Sequence, residues 1–151
     1  GEPQRECTCT DGEIRRYGQK ISGPLLDRID LHVSVMRPKY SELTATIQGE
    51  PSCDIAKRVA EARAVQAERL SRWHMQSNAQ MGHRQLKETC QLDAEGTEML
   101  RVVFEKLHLS ARSYDRIIKV ARTIADLAGS DQIRPEHVAE AISFRNMING
   151  K

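Results

Sequence analysis

The chain has 151 residues, enough for one domain or one and a half small ones and too few for a multidomain enzyme. Hydrophobic residues are 39% and charged residues 29%, with only six aromatics, so a core has to be built from Leu, Ile, Val, Ala and Met, which suits packed helices. The net charge of +2, from 23 basic and 21 acidic residues, neither demands nor excludes a nucleic-acid partner.

No apolar run approaches the roughly 18–20 residues of a membrane span, and the opening Gly1-Glu2-Pro3-Gln4-Arg5-Glu6 is no signal peptide. A soluble, cytoplasmic protein without a membrane partner is expected. The opening lacks Met and reads as charged coil, so the chain is expected to be part of something longer. Cysteines at 7, 9, 53 and 90 are too sparse for a disulfide scaffold and point to a reducing compartment.

Thr10-Asp11-Gly12-Glu13 has the capping-box spacing and opens a helix near 11–19 that carries Ile14 and Tyr17. Ser22-Gly23-Pro24 then starts one or two helical turns, because Ser can cap and Pro loses nothing in a first turn. From Ile29 the apolar residues alternate as Ile29, Leu31, Val33 and Val35, the period of a strand with one buried face. A lone strand has no ladder, so its sheet is expected outside this chain. Residues 37–51, with Pro38, Gly49 and Pro51, read as a linker.

The remainder is helical. Ser52 is placed as the cap of a long helix over 53–74, whose Ile55, Val59, Ala62, Gln66, Leu70 and Trp73 share one face. After a polar break over 76–82 comes a short helix through Leu86 and Cys90. Asp93 caps the next, with Leu100, Val103, Phe104 and Leu107 together. Ser110 caps a helix over 111–128 that turns Ile117, Ile118, Ala121 and Ala125 inward and ends at Gly129. Pro135 begins the last, with Val138, Ala141 and Ile142 inward. A bundle of four to five helices follows, with no internal repeat.

No nucleophile elbow, Gly-rich phosphate loop or His-Glu-x-x-His is present, so no self-contained active site is visible. Cys7 and Cys9 offer two thiolates where a structural zinc needs four ligands, and no metal site is expected within the chain. Arg112 lies in the first turn after Ser110, where the helix dipole disfavours a cation. Either a neighbouring acid such as Asp115 compensates it, or an anion does, since first-turn N–H groups and a guanidinium suit phosphate oxygens. Arg28, between Asp27 and Asp30 at the mouth of the expected strand, reads as a local salt bridge. Residues 57–87 hold seven Lys or Arg against two Glu, either a solvated flank or a surface able to track a nucleic-acid backbone, with Arg58, Arg69 and Arg72 along one side.

The string Lys20-Ile-Ser-Gly-Pro-Leu-Leu-Asp-Arg-Ile-Asp-Leu-His-Val33, followed by Leu109-Ser-Ala-Arg-Ser-Tyr-Asp-Arg-Ile-Ile-Lys-Val-Ala-Arg-Thr-Ile-Ala-Asp-Leu127 and His137-Val-Ala-Glu-Ala-Ile142, closely resembles the magnesium-chelatase-like AAA+ ATPases of the ComM type. The resemblance implies a mainly α chain: a short remnant of the AAA+ α/β core with one strand over 1–37, a linker over 38–52 and an all-helical lid over 53–151. It implies that Arg28 is the arginine finger reaching a neighbour's nucleotide and that Arg112 is sensor 2, contacting the γ-phosphate of its own protomer. ATP and Mg are then the cofactors of the full-length protein, held only weakly by this part, which lacks Walker A and Walker B and is expected to be inactive alone. Family members carry a second Cys pair upstream that could complete a site with Cys7 and Cys9. A ring, a hexamer by the same resemblance, is expected to remodel DNA as a branch-migration helicase does, with the basic 57–87 segment as a DNA contact. The alternatives are a chelatase motor for metal insertion and a helical nucleic-acid or protein-binding module.

Overall fold

The computed structural model describes residues 7–44 and 49–145. The expected coil at 1–6, part of the expected linker at 45–48 and the end of the expected lid at 146–151 lie outside the described residues.

Helix α1 spans Asp11–Gly18 and closes as the capping-box spacing predicts: Glu13 N–H donates to Thr10 Oγ1 at 3.3 Å, and the Glu13 carboxylate accepts from Thr10 N–H at 2.8 Å. None of its residues is buried. A single turn, α2 (Gly23–Leu26), is capped by Ser22, whose Oγ accepts from Leu25 N–H at 3.4 Å, and holds Pro24 in its first turn. Another single turn, α3 (Tyr40–Leu43), lies inside the stretch read as linker.

The expected strand does not form. Among the described residues no strand occurs, and the one β-type pairing is an isolated parallel bridge between Leu92 and Ile133. The physical reason is that no described residue forms a ladder beside residues 29–36. They are tied only near their start, by Arg145 to the Ile29 carbonyl, by Arg116 to Asp30 and by His32 N–H to Phe144 O at 2.9 Å, and exposure grows from 40% at Ile29 through 65% at Val33 to 89% at Val35. The mainly α class stands, without the strand.

The long helix α4 runs Ser52–Leu70, followed by a 3-10 turn over Ser71–Trp73. Its cap is Pro51 rather than Ser52, with no side-chain capping bond. The predicted apolar stripe is covered only in its second half: Ala62, Gln66 and Leu70 are buried, while Ile55 and Val59 remain 42% and 45% exposed. A second 3-10 turn, Asn78–Gln80, leads to α5 (His83–Thr89), α6 (Ala94–Lys106), α7 (Ala111–Leu127) and α8 (Pro135–Ser143).

Helix α7 is the centre. It packs on α4, α5 and α8, and its buried Ile117, Ile118, Ala121 and Ala125 join Leu70 and Val138 in one apolar core. Helix α6 packs on α8 instead, with Gly96 so close to it that an added Cβ would meet Val138 Cγ2 at 3.5 Å and the Asp93 carboxylate at 3.0 Å.

Three helix ends share one closure. Gly129, at φ 65°, lets Gly129 N–H reach Asp126 O and Ser130 N–H reach Ala125 O, the paired bonds of a Schellman motif. His74 and His108 hold the same left-handed position at φ 55° and 48°, with Met75 N–H on Leu70 O and Leu109 N–H on Phe104 O. Sequence reasoning finds the glycine and misses the histidines, because a non-glycine residue in this region carries strain that only the surrounding chain can impose.

Inside the bundle lies a polar hub that periodicity does not reveal. The Asp126 side chain, 0% exposed, accepts from Arg69 at 2.8 and 2.7 Å, from Arg122 Nε at 3.0 Å and from Asn78 Nδ2 at 2.8 Å. Arg122 also donates to the Asp131 carbonyl at 2.8 Å and to that of Ser130, fastening the turn after α7. Burial works against the Arg69 charge, but the Asp126 carboxylate outweighs it and holds the guanidinium above its ordinary value. Arg69 Nε alone of this group is left buried without a partner.

A buried ion cluster is costly to break from one side because it strands the remaining charges. Asp126→Ala is therefore expected to lower the free energy of unfolding by about 3–5 kcal/mol, measured by urea denaturation. Glu98→Ala, which removes a surface pair with Arg101, is expected to leave the urea midpoint in place.

Candidate functional site

The two motif segments meet around one carboxylate. Asp27, in the turn after α2, accepts from Ser110 Oγ through Oδ2 and from Ser113 Oγ through Oδ1, both at 2.9 Å. Ser110 is at the same time the N-cap of α7, its Oγ accepting from Ser113 N–H at 3.2 Å. Arg145, just after α8, reinforces the junction by donating to Ser113 Oγ at 2.9 Å and to the Ile29 carbonyl at 2.6 Å. Arg116, one helical turn beyond Arg112, pairs with Asp30.

These contacts leave their electrostatic mark. The hydrogen bond from Ser110, followed by that from Ser113 and the nearby charges of Arg145 and Arg112, holds the Asp27 carboxyl below its ordinary value against the opposing effect of burial. Burial pulls the Arg145 charge down, Asp27 supports it, and Arg116 opposes it.

Both candidate arginines stand at this junction, and neither takes the salt bridge that the sequence offers it. Arg28 has Asp27 and Asp30 as neighbours, but those acids are turned to Ser110, Ser113 and Arg116; its NH1 donates to the Pro24 carbonyl at 2.8 Å and its side chain is exposed. Arg112 does not lean on Asp115, which is bonded to His83 Nδ1 at 3.0 Å. Arg112 makes neither a hydrogen bond nor an ion pair with any described residue, and it opens onto a groove of about 780 Å³.

That groove has an apolar floor of Val59, Val120, Ile124 and Leu127, and Arg63, Arg112 and Lys119 stand around it. Burial, with Arg116 nearby, lowers the Lys119 ammonium.

The basic 57–87 segment is partly spent on internal contacts. Arg69 is inside the Asp126 hub, Arg58 pairs with Glu50, and Arg72 and Arg84 share Glu88 while Arg72 lies 3.7 Å above the Trp73 ring. Cys7, Cys9 and Cys53 are exposed and Cys90 is buried, where burial pushes its thiol up. Hydrogen bonds from Cys9 lower the Cys7 thiol, and that of Cys9 rises in turn. Among the described residues no three His, Cys, Asp or Glu side chains gather to hold a metal ion, and no helix is long and apolar enough to cross a membrane.

The family model described as magnesium chelatase, subunit ChlI C-terminal, matches residues 49–145, and that of magnesium chelatase, subunit ChlI, matches residues 1–43. The chain belongs to the magnesium-chelatase-like family of the ComM type. It is 38% identical to the competence protein ComM of Haemophilus influenzae over 90% of its own length and 26% of that protein. It is 37% identical to the uncharacterized protein YifB of Escherichia coli over 91% and 26% of the respective lengths. The uncharacterized protein Mb2921c of Mycobacterium bovis is 36% identical over 95% of the chain and 28% of its own length. The chain thus spans about a quarter of the length of these relatives.

What periodicity and caps could not reveal at this site is the work of Asp27, Arg145 and Arg116, which act across 32 to 119 positions of sequence. A sequence signal did exist for Asp27: it sits inside the first family string, next to Arg28.

The Asp27 contacts have a pH signature. A carboxyl held below its ordinary value stabilises the docked state above the unfolded aspartate value of about 3.9 and loses that contribution only as pH falls through the lowered one. Amide exchange at His32, whose N–H is bonded to Phe144 O, is expected to stay slow at pH 5 and to quicken, beyond its intrinsic change, only below about pH 4. Asp27→Asn is expected to raise His32 exchange severalfold at neutral pH and to abolish the acid step.

Proposed function

We propose that this chain is the lid-bearing C-terminal part of an ATP-driven motor, in which Arg28 reaches the nucleotide of a neighbouring protomer and Arg112 the γ-phosphate of its own. In this reading the segment around Arg28 closes the α/β core and the α4 to α8 bundle is the lid. The observation that carries it is the open guanidinium of Arg112 in the first turn of α7, with Asp115 committed to His83 and Asp27 to the two serines.

The residues present fit a phosphate group. A cation in the first turn of a helix is disfavoured by the dipole, and an anion there would satisfy both the guanidinium and the free N–H groups. ATP, when bound, supplies the phosphoanhydride bond whose hydrolysis drives the motor. The contribution of this chain is to hold positive charge where negative charge spreads over the transferred group, which a finger supplied from a neighbour does by about 10³–10⁵ in rate. Among the described residues the acidic side chains do not gather into a metal site of their own.

For the output we propose a cytoplasmic ring, a hexamer, that remodels DNA. The similarity to a competence protein supports it, as do the lysines of the basic segment, Lys57 and Lys87. The family models, both of a magnesium chelatase subunit, favour a second reading, a motor that drives metal insertion through a partner.

In the protein with its complete nucleotide-binding core, Arg28→Ala and Arg112→Ala are each expected to lower kcat for ATP at least tenfold. Turnover within about twofold of wild type would overturn the assigned roles. DNA affinity of the assembled ring is expected to fall steeply with salt, and Lys57→Ala with Lys87→Ala to reduce the log–log slope by about two. Salt-insensitive or undetectable binding would favour the chelatase motor.

A further inference from the structure

Helix α7 turns one face to the core and a second to the groove. The groove is lined from Arg112, in the first turn, to Leu127, the last residue of the helix, a run of about 22 Å at the usual helical rise. Helix α4 supplies Val59, Ala62, Arg63 and Gln66 to the same groove. Val59, Leu127 and Leu31 line it and stay exposed to water, although all three are large and apolar. Ile55, one turn before Val59, continues the exposed stripe along α4.

The charges around this groove do not cancel. Of its acids, Asp30 is held by Arg116 and Asp115 by His83, which leaves Glu140. Of its cations, Arg112 has neither a hydrogen bond nor an ion pair with any described residue. Arg63 donates to the Gln66 side-chain oxygen and Lys119 to the Ala79 carbonyl, both at 3.2 Å, and neither acceptor carries a charge. Three cations thus face one carboxylate across an apolar floor. Burial, with Arg116 nearby, lowers the Lys119 ammonium, and an arriving carboxylate would relieve that.

The geometry points to this groove as the docking site of an acidic amphipathic helix from a partner protein, about 15 residues long, which lays Leu- or Ile-like side chains on the floor and sets carboxylates against Arg63, Arg112 and Lys119. Two packed helices present ridges and furrows that a third can follow along its length. The groove is open on one side, so the occupant buries one face and leaves the other in water, which requires it to be amphipathic. A nucleic-acid strand suits the site less, because phosphates make no use of the aliphatic Val59, Val120, Ile124 and Leu127. Apolar contact supplies the affinity, while the cations select the sign of the partner's charge. None of this depends on the nucleotide roles proposed above.

The probe is a labelled helix-forming peptide of about 15 residues, with Leu at every third or fourth position on one face and Glu beside them, titrated into the full-length protein and followed by fluorescence anisotropy. It is expected to bind at least about tenfold tighter than a scrambled peptide of the same composition, and than the same peptide with Lys in place of Glu. Arg63→Glu with Lys119→Glu is expected to reverse that preference, making the Lys peptide the tighter one. Val59→Glu is expected to weaken the Glu peptide at least about tenfold. If the reversed pair fails to fold, Arg63→Gln with Lys119→Gln carries the test and is expected to weaken the Glu peptide at least about threefold. Equal binding of the three peptides, or an affinity for the Glu peptide that these variants leave unchanged, would overturn the proposal. So would a single-stranded oligonucleotide that displaces the peptide and loses its own affinity in Arg63→Glu, since the groove would then be a nucleic-acid surface. The variants spare Arg112, so failure here leaves the nucleotide reading standing.

Discussion

The seating of the Asp27 carboxylate on Ser110 and Ser113 is the contact on which the site depends, because it settles an electrostatic conflict at the start of α7. A cation in a first turn is opposed by the positive end of the helix dipole. The nearby anion that relieves it is Asp27, which feels the Arg112 charge without bonding to it. Asp115, the local acid that could have closed on Arg112, is bonded to His83. Relief at a distance keeps the guanidinium donors open, whereas a direct ion pair would have consumed them.

The opposite end of α7 poses the mirror problem and solves it with the opposite means. Asp126 is a buried anion near the negative end of the same dipole, and Arg69 and Arg122 both turn inward to it. Two guanidinium groups and one carboxylate leave a net positive charge beside the C-terminal carbonyls, the sign that the dipole favours. The hub also joins α4, the turn after it and α7 through Asn78, whose Nδ2 reaches both Asp126 and Thr123. The spine of the bundle is held at one end by a closed ionic cluster and at the other by a polar clasp that leaves one cation unbonded.

Much of this was legible in the sequence. Helix existence, the caps at Thr10, Ser22, Asp93 and Ser110, and the Gly129 stop rest on local chemistry, which a single chain displays. The inward face of α7 was legible because four buried residues repeat at its period. What failed required a second segment. Residues 29–36 have the alternation of a strand but no ladder among the described residues, and Ile55 and Val59 have the spacing of a covered stripe but stay 42% and 45% exposed. The Asp126 hub spans 57 residues between its Arg69 and Asp126 partners, and no local pattern announces which arginine will turn inward. For Arg28 the local reading offered a salt bridge, and for Arg112 a salt bridge or an anion; the geometry withdraws the salt bridge in both cases.

The way the Arg28 segment is attached bears on what it can do. Its apolar side chains contribute little to docking: Leu25, Ile29 and Leu31 are 48%, 40% and 48% exposed. The attachment is made by Asp27, Asp30, Arg116 and Arg145, together with the His32 N–H on Phe144 O. Apolar packing is non-directional and tolerates sliding, while a carboxylate divided between two hydroxyls holds only over a few tenths of an ångström and a narrow range of angles. A segment docked by such bonds follows a rotation of α7 faithfully or lets go of it altogether.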